Sequence, residues 1–77
     1  MRIKVYAPGF LSRSQLEADG TLMLDTGATL DDLYSRLHLP ASFRFSFSCS
    51  INDTKAVWTA ELHDGDRVAF MYPMAGG

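Results

Sequence analysis

The sequence predicts a two-layer α+β domain in which one amphipathic helix lies across one face of a mixed sheet. Apolar and polar residues alternate near both ends of the chain and again, without a fault, at positions 43–51, the period-2 signature of strands with one buried face. Between them a single stretch, positions 29–38, repeats its apolar residues at helical spacing. A lone helix among strands can bury its stripe only against one face of their sheet.

Each element follows from local chemistry. Ile3, Val5 and Ala7 face one way and Arg2, Lys4 and Tyr6 the other, and Pro8-Gly9 ends this first strand. Positions 10–18 have no clean period, Asp19-Gly20 signals a turn, and Thr21-Leu22-Met23-Leu24 reads as a second strand, giving a hairpin with a long connection. Gly27 breaks the pattern. Thr29 and Asp32 resemble a capping box with Asp in place of Glu, and Asp31 and Asp32 both suit the positive end of a helix dipole. Leu30, Leu33, Tyr34 and Leu37 then form one face. Pro40 disfavours helical geometry at Leu39, so the helix ends near Leu37 or His38.

Phe43, Phe45, Phe47, Cys49 and Ile51 alternate with Arg44, Ser46, Ser48 and Ser50, which predicts a third strand with its serines on a wet face. Asn52-Asp53 offers a turn, positions 55–58 a short fourth strand, and His63-Asp64-Gly65-Asp66 a loop. Val68, Phe70 and Tyr72 define the last strand, with Met71 pointing away from that face. The order ββαβββ permits the first and last strands to pair in parallel, which would make the last strand central.

The 77 residues make one domain, positions 1–77, with nine aromatic residues available for a core. The net charge is −2 and the cationic residues are scattered singly, so no basic stripe exists to release counterions and no nucleic-acid partner is expected. The only cysteine, Cys49, cannot form an internal disulfide, which fits a reducing compartment and predicts a cytoplasmic protein. The alternating start lacks the form of a signal peptide, and no apolar run approaches membrane-spanning length. Neither secretion nor membrane association is expected.

No catalytic cluster or metal site emerges. Cys49 sits in an inward slot between Phe47 and Ile51, where a free thiol acts as a small hydrophobe. His63 and Asp64 belong to a polar turn with no third ligand nearby, and His38 falls at the helix end, where it complements the dipole. Trp58 and the phenylalanines have no interleaved basic residues for stacking bases and read as core. Gly76-Gly77 is the remaining feature: a carboxylate on two residues without Cβ can enter a cleft that a branched residue would block. That suits a chain end used as a chemical handle.

The element order, the segment Leu62-His63-Asp64-Gly65-Asp66-Arg67-Val68-Ala69-Phe70 and the ending Pro73-Met74-Ala75-Gly76-Gly77 together resemble the MoaD/ThiS family of β-grasp sulfur carriers. That family includes the small subunit of molybdopterin synthase and the sulfur carrier of thiamine biosynthesis. The resemblance implies a β-grasp, ubiquitin-like fold with a flexible Gly-Gly tail at about 73–77, and a carrier in place of an enzyme. A ubiquitin-activating-like enzyme would use ATP to adenylate Gly77, and persulfide sulfur would then give a thiocarboxylate. No bound cofactor is implied.

In the same resemblance Ala75 and Gly76 thread into partners, Phe70, Met71, Pro73 and Met74 contact them, and the sulfur acceptor is a synthase subunit. That subunit is the molybdopterin synthase large subunit or a thiazole synthase. The long connection from Gly9 to Gly20 favours the molybdopterin branch, whereas Tyr72-Pro73 stands where that branch often has two prolines. A thiamine-type carrier, a ubiquitin-like modifier forming isopeptide bonds through Gly77, and a non-covalent interaction module are the alternatives.

Overall fold

The computed structural model describes residues 1–6, 16–17, 19–39 and 48–71. Within them β1 (Arg2–Tyr6), β2 (Thr21–Met23), α1 (Leu30–Arg36), β3 (Ser48–Ile51), β4 (Thr54–Ala56) and β5 (Arg67–Met71) follow in the predicted order. Ala7, the phenylalanines at 43, 45 and 47, Tyr72, and the tail at 73–77 lie outside the described residues.

The strands form one sheet in the order β2-β1-β5-β3-β4. β1 pairs antiparallel with β2 and parallel with β5, with Val5 opposite Val68. β5 also pairs antiparallel with β3, with Cys49 opposite Phe70. The last strand is therefore central. Ile3, Val5, Leu22, Cys49, Val68 and Phe70 point to one face, where they meet Leu30, Leu33, Tyr34 and Leu37 of the helix region in a single core.

The helix begins where the sequence predicts. Thr29 N–H donates to Asp32 Oδ2 at 2.9 Å and Asp32 N–H to Thr29 Oγ1 at 3.3 Å, completing the capping box. At the other end His38 has φ 58° and its N–H donates to Ser35 O at 3.1 Å, a left-handed residue just past the cap. Asn52 and Asp53, with φ 51° and 71°, form a two-residue β3–β4 connection. Two positive φ values there match a type I′ turn, whose twist suits the flanking strands.

Two expectations change. The alternation predicts a fourth strand at 55–58, but β4 spans Thr54–Ala56, because the next residues feed the helix start. Leu30 N–H donates to Ala60 O and Asp31 N–H to Trp58 O, both at 3.0 Å. These are helix N-terminal donors with no partner inside the helix. Ser50, predicted to be wet, is buried. It lies on an inner strand between Ala69 and Lys55, and a hydroxymethyl group is too short to rise above them. No helix among the described residues is long and apolar enough to cross a membrane.

Candidate functional site

The strand that leads to Gly77 is secured from both sides and from below. Its beginning is tied by the loop from His63 to Asp66, which links three parts of the sheet. Asp66 is buried; its Oδ2 accepts from His63 N–H at 2.8 Å and its Oδ1 from Asn52 Nδ2 at 2.9 Å. Asn52 completes the connection, accepting at Oδ1 from Arg67 N–H at 2.9 Å and donating its own N–H to Arg67 O at 2.8 Å. Arg2 N–H donates to Asp64 Oδ1 at 2.7 Å, and Arg2 O accepts from Gly65 N–H at 2.9 Å. Gly65 has φ +86°, a conformation that glycine adopts without strain. Asp-Gly-Asp thus serves as a clasp.

The far end of β5 is different in character. Phe70 is 3% exposed and Met71 50% exposed, as their opposite parity in the strand requires. Phe70 stacks on Trp58 at 6.2 Å and meets Tyr34 edge-on at 6.1 Å. The resemblance implies a partner contact for Phe70, and the parity that exposes Met71 commits the Phe70 side chain to the core of the free chain. Trp58, predicted as core, is half-buried in that cluster.

The sheet face opposite the helix carries the exposed surface. Tyr6, 51% exposed, stands in register with Ala69 beside Met71, and Lys4 Nζ lies 5.8 Å from the Tyr6 ring centre. A shallow trough runs alongside, lined by Ser48, Ser50 and Ala69 and walled by Met71, Lys55 and Asp53. The trough exists because inner strands β3 and β5 present small residues there. Arg67 Nη2 reaches Asp53 Oδ2 at 3.1 Å on the same face. At the opposite edge, hydrogen bonds from Thr21 hold the Asp19 carboxyl below the usual aspartate range.

Other candidates fall into structural roles. Burial raises the Cys49 thiol to about 11, so it carries almost no thiolate at neutral pH. His63 Nδ1 lies 3.8 Å from Asp66 Oδ2 but is exposed, and among the described residues no group of His, Cys, Asp or Glu could hold a metal ion. Asp31 and Asp32 occupy the first turn of α1. Pro73, Met74, Ala75, Gly76 and Gly77 lie outside the described residues. The sequence reading misses Asn52 as a clasp and Tyr6 as a neighbour of Met71; strand parity could have found Tyr6.

The model of the ThiS family matches residues 11–77, from the β1–β2 connection through the final glycines. The chain belongs to the ThiS family. Among solved structures it is similar to SAMP1 from Haloferax volcanii, with a TM-score of 0.68, 16% identity and full coverage of both chains. It is also similar to a chain in the complex of subunits 1 and 2 of molybdopterin-converting factor from Helicobacter pylori 26695, with a TM-score of 0.61, 18% identity and full coverage of both chains. A search of curated proteins returned no match. At these identities the likeness concerns the fold, which is the β-grasp, ubiquitin-like one.

Proposed function

We propose that this ThiS-family chain is a sulfur carrier in which Gly77, as the C-terminal residue of the active form, bears the transferable sulfur. The observation that carries this reading is the position of β5. Strands on both sides hydrogen-bond it, a side-chain clasp holds its start, and it ends at Met71, six residues before Gly77. A handle at that position is presented from the firmest part of the sheet. The family match through Gly76-Gly77 supports it.

A carboxylate is a poor electrophile, and activation supplies a leaving group. A partner adenylating enzyme would join the Gly77 carboxylate to the α-phosphorus of ATP, releasing pyrophosphate. The terminal sulfur of a persulfide then attacks the Gly77 carbonyl and AMP leaves. A thiol cleaves the resulting acyl persulfide, giving the thiocarboxylate and a disulfide. The chain itself contributes no catalytic group and binds no cofactor. Its Ala75-Gly76 segment enters partner clefts, while Met71, Pro73 and Met74 border the contact. ATP and reduced thiols place the cycle in the cytoplasm.

Within this reading the acceptor is the large subunit of a molybdopterin synthase, supported by the likeness to the molybdopterin-converting factor chain and by the long β1–β2 connection. The test is intact-mass analysis after incubation with the activating enzyme, ATP and a persulfide donor. Exchange of one oxygen for sulfur at Gly77 is expected, and deletion of Gly76 and Gly77 should abolish it. Its absence with every donor, although adenylate forms, refutes the sulfur-carrier reading. Sulfur transfer to a thiazole synthase in place of a molybdopterin synthase subunit overturns the branch.

A further inference from the structure

The sulfur atoms of this chain stand in unlike surroundings. Cys49, opposite Phe70 in the β3–β5 register, is 3% exposed on the helix-covered face, and burial raises its thiol to about 11. At neutral pH its thiolate fraction is on the order of 10⁻⁴, and the thiolate is the form that peroxides attack. Met1 is partly buried against the core. Met71 and Met23, by contrast, are 50% and 53% exposed. We propose that Met71 is a redox modification site: a hydroperoxide converts its thioether to a sulfoxide, which weakens docking of the sulfur-accepting subunit while leaving the fold intact.

Register explains why this sulfur is open to attack. Met71 is opposite Ser48 on β3, and Ala69, its neighbour on the same face, lies between Tyr6 and Ser50. Serine and alanine are too short to cover a thioether, so Met71 stands as a wall of the trough on the open sheet face. Strand parity directs it away from the core that Phe70 enters, so an added oxygen meets water and not packed side chains. Met23 offers the same chemistry at a different place. It lies on edge strand β2 in register with Arg2, and β1 separates it from β5. It therefore serves as an internal control.

A lone pair of the Met71 sulfur attacks one oxygen of the hydroperoxide; an S–O bond forms, the O–O bond breaks, and the leaving oxygen takes a proton to become water or an alcohol. Sulfur loses two electrons and the peroxide gains them. A methionine sulfoxide reductase reverses the step with two thiols, giving water and a disulfide. The thioether is apolar and adapts its shape to a partner, whereas the sulfoxide is polar. A partner surface fitted to the thioether would then have to bury an oxygen without a hydrogen-bond donor, which costs affinity. The carrier is thus uncoupled from its acceptor by peroxide while Cys49 and the core stay untouched.

This inference rests on the placement of Met71 at the partner contact of a sulfur carrier, and its test separates the two. The full chain is treated with hydrogen peroxide at neutral pH, quenched and mapped by peptide mass spectrometry. Met71 and Met23 should gain one oxygen at similar rates, while Cys49 remains a thiol that maleimide labels only after denaturation. The thermal midpoint should move by less than about 4 °C. Capture by the molybdopterin synthase large subunit should weaken at least about fivefold, and methionine sulfoxide reductase should restore it. Met71→Leu should make capture indifferent to peroxide when each sample is compared with its own untreated form, whereas Met23→Leu should leave the peroxide response in place. Oxidation of Cys49 ahead of Met71, unfolding on Met71 oxidation, or an equal loss of capture in peroxide-treated Met71→Leu protein would overturn the proposal. Sulfur loading is followed by intact mass on chain not exposed to peroxide, because one added oxygen and one exchange of oxygen for sulfur change the mass almost equally. No loading with the expected oxidation map refutes the carrier reading alone, while loading with capture indifferent to Met71 oxidation overturns the present proposal alone.

Discussion

Replacing Phe70 with Leu separates a core residue from a partner contact. The ring is 3% exposed and has aromatic neighbours at 6.1 and 6.2 Å. Leucine fills much of the volume but forfeits both ring pairs, each contributing about 0.5–1.5 kcal/mol beyond area burial. The expected loss is therefore about 1–3 kcal/mol. A 77-residue domain has a total stability of about 4–12 kcal/mol, so the variant should still fold but with visibly reduced stability. Each kcal/mol lowers the thermal midpoint of a domain this size by about 4–8 °C. Met71→Ala on the adjoining residue supplies the contrast: half exposed, it should change stability by less than about 0.5 kcal/mol while weakening capture by the synthase subunit. Paired denaturant melts and binding titrations measure both quantities. A Phe70→Leu protein with unchanged midpoint and lost partner binding would refute the assignment of Phe70 to the core.

Three further outcomes follow from single residues. Asp66→Ala strands the His63 N–H and the Asn52 amide, and about 1–3 kcal/mol should be lost in urea melts for each donor that water cannot reach. Asp53→Gly relieves a left-handed backbone that costs a non-glycine residue about 1–2 kcal/mol and sacrifices an exposed ion pair worth about 0–1, so a raised thermal midpoint is expected. Cys49 should resist alkylation in the folded protein and react readily in denaturant. Because burial raises its folded value to about 11, its contribution to stability is intact below the ordinary thiol value and is lost as pH rises towards 11. Cys49→Ala should remove that part of the alkaline decline in pH-dependent melts.

Much of the fold is legible where local chemistry and tertiary packing agree. Strand alternation places Ile3, Val5, Val68 and Phe70 inside, and the Thr29-Asp32 box marks the helix start to the residue. The segment after β4 is not legible, because its role is played by the carbonyls of Trp58 and Ala60, and backbone acceptors leave no mark in side-chain pattern. Ser50 is misread for another reason: its burial depends on Ala69 and Lys55, which join it only when the strands pair. In the candidate site Met71 follows from parity alone. Phe70 is assigned to a surface from a family position, although its own alternation with Met71 already points inward. Asn52 reads as a turn residue, and only the structure joins its amide to Asp66 and its carbonyl oxygen to Arg67.

The parallel pairing of β1 with β5 joins the beginning of the chain to its last strand. During synthesis β1 emerges with only β2 to pair with, and a two-stranded hairpin is marginal in water. The central position of the sheet stays vacant until residue 71 has been released, so the cooperative core closes late. A nascent or truncated chain lacking β5 cannot assemble the five-stranded sheet. Folding is thus governed by the arrival of the strand that fills the centre of the sheet, and truncation before it leaves β1 and β3 without their shared neighbour.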